Sequence, residues 1–234
     1  MTDRPLHIIT LHGLQGAPQA RGVAVVIDVL RAFSTACYLK AAGAATLLAV
    51  AEAEEAQRLK LNYPEAILMG ERRGYRLAGF DLGNSPGQVL GRDWHDRTVI
   101  LTTSNGTQGL AAARQAQQVL TGSFVNADAI VEYIRRRAAT VVSLVCMGSE
   151  DRPAVEDLLC AQYLQEYLLG RTPDFAAMRS TIMQSPAAKK FLDGHSPDLP
   201  AEDLELCLEL NRFDFVLRAD HTPQGAIELK QIRA

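Results

Sequence analysis

The 234-residue sequence is poor in cysteine. Its four thiols, Cys37, Cys146, Cys160 and Cys207, include no CxxC pair. That spacing excludes zinc ribbons and disulfide frameworks and leaves reduced, buried thiols as the expectation. No run of about 18 apolar residues occurs, so no membrane-spanning helix and no membrane partner are expected. The N-terminal MTDRPLHIIT lacks the basic-then-apolar pattern of a secretory signal, which points to the cytoplasm. Low-complexity tracts and strong internal repeats are missing as well. So is an excess of positive charge: at a formal net charge of −3 the chain has no global attraction for nucleic acid. Any anionic ligand must therefore be held by local arginines. A disordered chain is excluded in turn, because 47% of residues are hydrophobic and 22% charged.

What is present is a series of short Val/Ile/Leu-rich runs with helix-compatible segments between them. VAVVIDV (23–29), TLLAV (46–50), AILMG (66–70), TVILTT (98–103), QVLTGS (118–123) and VVSLVC (141–146) read as strands. Their near-continuous hydrophobicity predicts burial on both faces of a parallel or mixed sheet. FSTACYLKAAG, AEEAQRLKLN, NGTQGLAAARQ and NADAIVEYIRRR read as the intervening helices. Asn126 is placed to cap the last of these, and Arg135 to Arg137 fall in its final turn, where cations suit the helix dipole. After residue 150 the chain reads as mainly helical, and FDFVLRA and AIELKQI near the C-terminus read as edge strands. The order predicts one α/β domain over 1–234. The apolar helix over 153–170 suits either burial or a homodimer interface.

The polar residues cluster where strands end. Strand 23–29 ends in DVLRA, strand 98–103 in TTSNGT, and strand 141–146 in CMGSEDRPAVED. A fourth segment, GERRGYRLAGFDLGNSP (70–86), holds Glu71, Asp81, Arg72, Arg73 and Arg76 among five glycine or proline breakers. In open α/β sheets ligands bind at the carboxyl ends of strands. Asp28, Glu71, Asp81, Glu156 and Asp157 supply hard oxygens suited to Mg²⁺. Arg31 and the arginines of 72–76 suit phosphate or sulfonate oxygens. Carboxylates for a metal with arginines for an anion point to phosphoryl chemistry on a small anionic organic phosphate. Each element also has a structural reading: Asp28 as a helix cap, Glu156 and Asp157 as acids at a helix start, 102–107 as a capped turn.

VVIDVLRAFSTA, GERRGYRLAGFDLGNSP, TTSNGT and VEDLLCA, in this order, resemble the 2-phosphosulfolactate phosphatase family (ComB-like proteins), from about residue 22 to about 220. The resemblance implies a three-layer α/β/α fold and a Mg²⁺-dependent acid phosphatase. Its reaction would convert 2-phospho-3-sulfolactate to 3-sulfolactate and phosphate, a step of coenzyme M biosynthesis in methanogens. It carries Asp28 and Arg31 over from the first motif, and Glu71, Arg73, Asp81, Asn84 and Ser85 from the second. Thr103, Ser104, Asn105 and Thr107 come from the third, and Glu156 and Asp157 from the last. The expected metal carboxylates are Asp28, Glu71 and Asp81. The expected catalytic residues are Asp28, Arg31, Arg73, Glu156 and Asp157. Asn84, Ser85, Thr103, Ser104, Asn105 and Thr107 are expected to bind substrate. The chain departs from the family pattern at 146–151, after Ser185, and at Val216-Leu217.

Two other mechanisms have sequence support to weigh. A haloacid-dehalogenase mechanism needs Asp-x-Asp, and the chain has Asp28-Val29-Leu30. Cys146 and Arg152 form C-x5-R between a strand and a helix, the pattern of cysteine-dependent phosphatases, but Glu150 and Asp151 lie between them and would repel a phosphate dianion. A non-catalytic anion-binding protein of the same fold is the remaining alternative.

Overall fold

A computed structural model describes residues 5–149 and 152–233; Glu150 and Asp151 of the C-x5-R segment lie outside the described residues. The strands are β1 (His7–His12), β2 (Val23–Ile27), β3 (Thr46–Ala49), β4 (Ile67–Arg72), β5 (Tyr75–Arg76), β6 (Thr98–Thr102), β7 (Gln118–Gly122), β8 (Val141–Cys146), β9 (Phe215–His221) and β10 (Ile227–Arg233). The helices in the first half are α1 (Gly13–Gly16), α2 (Ala32–Ala41), α3 (Ala53–Lys60), α4 (Pro86–Val89), α5 (Gly106–Ala112) and α6 (Ala127–Arg136). Then follow α7 (Val155–Leu168), α8 (Phe175–Met183), α9 (Pro186–Leu192) and α10 (Ala201–Cys207).

All strands join one mixed sheet in the order β1-β8-β2-β7-β9-β10-β3-β6-β4-β5. The alternation of side chains along β2 shows why three layers form. Ala24 and Val26 pack into a core with Phe33, Leu39 and Leu110 from α2 and α5. Val23, Val25 and Ile27 face the other way, onto Phe124, Ile130 and Leu164. Burying side chains as large as Ile130 and Ile134 stabilises α6 by roughly 1.5–3 kcal/mol each. Its Asp128, Glu132, Arg135 and Arg136 stay exposed.

The C-terminal hairpin corrects the edge-strand expectation: β9 and β10 lie at the centre of the sheet. β9 pairs antiparallel with β7 at Leu120↔Arg218, and β10 pairs antiparallel with β3 at Ile227↔Ala49 and Glu228↔Leu48. Only the first half of each strand is buried, through Phe215, Val216 and Leu217 on β9 and Ile227 and Leu229 on β10. The charged remainder is half-buried to exposed, and there Arg218 and Lys230 pair with Asp220. β1 is a strand that the reading of the N-terminal segment did not contain.

The hairpin reverses direction between two parallel sets, β1-β8-β2-β7 and β3-β6-β4. A flat sheet would put their carboxyl ends on opposite edges. The loops after β2, β4, β6 and β8 nevertheless share one cleft, so the sheet coils, in keeping with a twist of about 20–25° per strand pair.

Asn126 starts α6 but does not cap it with its side chain. Its Oδ1 accepts from Ser123 Oγ, and its Nδ2 donates to the Phe215 carbonyl, pinning the helix entry to β9. The free N–H of Asp128 in the first turn donates instead to Asn211 Oδ1. No helix among the described residues is long and apolar enough to cross a membrane, and all four cysteines are free and buried.

Candidate active site

The cleft has a volume of about 620 Å³. Asp28, Glu71, Glu156 and Asp157 bring carboxylates to it, and Arg31, Arg72, Arg73 and Lys190 bring cations.

The segment 70–86 is not a free glycine loop at its start but a hairpin. Glu71 pairs with Arg76 and Arg72 with Tyr75, so Arg73-Gly74 forms a two-residue turn. Both turn residues have positive φ, 56° and 88°, the sign that a type I′ hairpin turn requires. Glu71 fixes this tip against the β6–α5 loop. Its Oε1 accepts the Ser104 N–H at 2.7 Å, and its Oε2 accepts the Gly74 N–H at 2.6 Å and the Ser104 hydroxyl at 3.1 Å. The Arg73 N–H in turn donates to Ser104 Oγ. The Arg73 guanidinium, exposed at the turn, has no hydrogen-bond or ion-pair partner among the described residues. Arg72 is held, donating to Glu71 O, Ala51 O and Thr102 Oγ1.

Arg31 is buried and lines the cleft. Its Nη1 donates to Asp203 Oδ2 at 2.6 Å and to the Asp198 carbonyl at 2.7 Å, and its Nη2 to the Gly74 carbonyl at 3.1 Å. Of the five guanidinium N–H groups, the Nε–H and one Nη2–H remain for a ligand. The Phe191 ring lies 5.3 Å from the guanidinium carbon.

Asp28 Oδ1 accepts the Ala32 N–H, so it caps α2 as well as lining the cleft. Asp157 ties two strand ends together, with Oδ1 on the Val29 N–H and Oδ2 on the Gly148 N–H. Glu156 Oε2 and Asn84 Oδ1 are buried without a partner among the described residues, and both residues line the cleft. A buried acceptor left without a donor calls for one from outside the chain, such as a ligand or water. Ser104 and Asn105 complete the polar lining.

The other expected site residues do not line the cleft. Asp81 Oδ2 accepts the Leu68 N–H and an ion pair from Lys60, on a side chain half exposed to solvent. Its carboxylate closes the loop on β4 instead of joining Asp28 and Glu71. Ser85 Oγ accepts the Gln88 N–H at the start of α4 and donates to Asp203. Thr103 and Thr107 bond each other across the start of α5, each hydroxyl accepting the other's N–H.

Crowding of acids sets the electrostatics. Burial, with Glu71 and Glu156 nearby, pushes Asp28 up from 3.8 to about 7. Burial also raises Glu156, and burial with Asp28 and Glu156 raises Asp157 well above the usual carboxylate range. Burial pushes the Cys146 thiol up to about 12, and its Sγ donates to the Asp157 carbonyl. A thiol held protonated in this way is not a nucleophile at neutral pH, so the C-x5-R mechanism loses its attacking group.

Among the described residues no three His, Cys, Asp or Glu side chains converge to form a metal-binding group. Mg²⁺ does not require one: it commonly takes one or two carboxylates, with water and substrate phosphate oxygens completing its shell. Asp28 and Glu156 fit that demand, since Glu156 raises the proton affinity of Asp28 and Glu156 Oε2 has no partner among the described residues. Glu71 has both oxygens engaged by N–H and O–H donors, and Asp81 is elsewhere.

Several contributors came from outside the motifs, among them Leu14 and Ala187. Lys190 and Phe191 on α9, Leu199 before α10, and Asp203 behind Arg31 all belong to the helical segment after 170. The acid of AEDLEL had a simpler explanation in the helix dipole, and nothing in the sequence marks Asp203 as fully buried.

The chain matches the family model described as 2-phosphosulpholactate phosphatase over residues 8–222. It is 41% identical over 220 residues to a protein of Deinococcus radiodurans, covering 88% of this chain and 92% of that one. It is 36% identical over 210 residues to a protein of Caldicellulosiruptor saccharolyticus (82% and 86%), and 33% identical over 197 residues to one of Bacillus subtilis (83% and 85%). Each of these relatives is named a probable 2-phosphosulfolactate phosphatase. The chain belongs to the 2-phosphosulpholactate phosphatase family, a family of phosphoric monoester hydrolases.

Proposed function

We propose that this cleft hydrolyses a small organic phosphate bearing at least one further anionic group, with 2-phospho-3-sulfolactate as substrate, 3-sulfolactate and phosphate as products, and Mg²⁺ as cofactor. One observation carries the reading: four carboxylates and a set of cations surround a cleft in which, among the described residues, two cations have no ion-pair partner and two buried acceptors no donor. Asp28 and Glu156 would hold the metal. When bound, Mg²⁺ would offset the charge of the acids and of the phosphoryl oxygens.

The chain's own groups divide the remaining work. The free Nε–H and Nη2–H of Arg31 suit two oxygens of one phosphate, the bidentate contact for which guanidinium is shaped. Arg73 and Lys190, at the cleft wall and without ion-pair partners, suit the second anionic group. Without metal the Asp28 carboxyl is raised to about 7; with Mg²⁺ bound it would be ionised, and its role would be to hold and orient the attacking water. Glu156 would share the metal as a carboxylate, and the leaving alkoxide would take its proton from water in the open cleft. Asp157, with both oxygens on backbone N–H groups, holds the β2 and β8 loops in register. Leu30, Phe191 and Leu199 exclude water from one wall.

A substrate panel tests the reading: 2-phospho-3-sulfolactate, phospholactate and phosphoglycolate, each with and without Mg²⁺. The reading expects the highest kcat/KM for the sulfonated ester. A preference for phosphoglycolate, which carries a carboxylate but no sulfonate, would remove the sulfonate as the group that Arg73 and Lys190 hold.

A further inference from the structure

Arg31 lines the cleft together with the buried acids, yet it is not free to choose its orientation. Asp203 on α10 is fully buried. Its Oδ2 accepts from Arg31 at 2.6 Å, while its Oδ1 accepts the Ser85 hydroxyl at 2.8 Å and the Gly87 N–H at 2.9 Å. One carboxylate thus joins the start of α4, the start of α10 and the anion-binding arginine. Through that arginine it also reaches the hairpin tip at Gly74 and the loop at Asp198. We infer that Asp203 is a positioning residue for the phosphoryl site, acting through Arg31 to keep its remaining N–H groups available to the anion. The inference rests on the phosphatase reading of the cleft.

The sign of the effect separates positioning from mere charge balance. If Asp203 only neutralised Arg31, removing its charge would make the cleft more positive and strengthen anion binding. If it orients Arg31, the same change weakens binding. Asp203→Asn discriminates well because of what surrounds Oδ1. The Gly87 N–H cannot turn away, so the asparagine oxygen must stay on that side. Its NH₂ then faces Arg31 Nη1, donor against donor, and displaces the guanidinium.

The test is calorimetric binding of inorganic phosphate to the wild-type protein, Asp203→Asn, Arg31→Ala and the double variant, with melting curves for each. Loss of an oriented charge-assisted contact should raise the phosphate Kd at least about tenfold in Asp203→Asn. The second substitution should add less than about twofold in the Arg31→Ala background, since residues acting as a unit are not additive. Tighter binding by Asp203→Asn, unchanged binding, or a full effect persisting without Arg31 would each overturn the inference. Should Asp203→Asn not fold, Ser85→Ala loosens the same carboxylate and keeps its charge. It should weaken binding only while Arg31 is present, and unchanged binding there would overturn the inference equally. Wild-type protein that binds no phosphate would sink the phosphatase reading itself and this inference with it, whereas normal wild-type binding with an unaffected variant sinks only the role of Asp203.

Discussion

Replacing Asp28 by Asn should stabilise the protein while destroying its activity, and by an amount that depends on pH. Asp28 is buried among acids, and its carboxyl is raised from 3.8 to about 7. Between those values the unfolded chain has released the proton and the folded chain keeps it, so stability falls as pH rises through the window and levels off above it. At roughly 1.4 kcal/mol per tenfold change in proton affinity, ionised Asp28 destabilises the fold by about 4 kcal/mol. Asn keeps the Oδ1 acceptor for the Ala32 N–H but turns a donor toward the Gly106 N–H that faces the carboxylate, offsetting about 1 kcal/mol. A net gain of about 3 kcal/mol at about pH 8 corresponds to a rise in Tm of roughly 6–12 °C for a chain of this size. At about pH 5 the gain should shrink to under about 1 kcal/mol, because wild-type Asp28 then folds in its neutral form. Thermal melts of both proteins in EDTA measure this. Phosphate release assayed with Mg²⁺ should fall at least about a hundredfold, the scale on which misplacing the reacting groups by about 1 Å costs rate. A variant no more stable than wild type at the higher pH, or a gain independent of pH, would refute the claim that Asp28 is a buried charge kept for function.

The arginines should not be equivalent. Arg73→Ala should lower kcat/KM about 10- to 150-fold, the cost of one charge-assisted anion contact. Arg72→Ala, which removes contacts to Ala51, Thr102 and Glu71, should change kcat/KM less than about threefold. Asp81→Asn should leave turnover within about twofold of wild type and reduce stability modestly, because its partners are the Leu68 N–H and an exposed Lys60 whose pairing contributes about 0–1 kcal/mol. Cys146→Ser, checked by the same phosphate assay, should retain activity, since the buried thiol touches no part of the cleft surface.

The strand–helix alternation was legible because strands buried on both faces carry unbroken apolar runs, and β8 over Val141–Cys146 was read to the residue. Asp28, Ser104 and Glu156 were legible for a related reason: polar residues directly after such runs lie at the ligand edge of an α/β sheet. The central position of β9 and β10 was not, since Arg218, Asp220 and Lys230 give them the composition of an exposed ribbon. Their charged halves stay nearer the surface while a short apolar stretch at the start of each strand is buried. Asp81 was misplaced because a carboxylate among glycines has no evident structural duty until the Leu68 N–H appears beside it. Asp203, Lys190 and Phe191 escaped because helix periodicity reports which face is apolar and not which distant loop that face meets.

The central claim is that the cleft around Asp28, Glu156 and Arg31 performs metal-assisted phosphate ester hydrolysis. Phosphate release from 2-phospho-3-sulfolactate tests it most directly, measured with Mg²⁺, after EDTA, after Mg²⁺ is restored, and after iodoacetamide. The account predicts turnover with Mg²⁺, its loss in EDTA, its return on adding Mg²⁺, and no effect of alkylation. Turnover that survives EDTA and is abolished by iodoacetamide would contradict it.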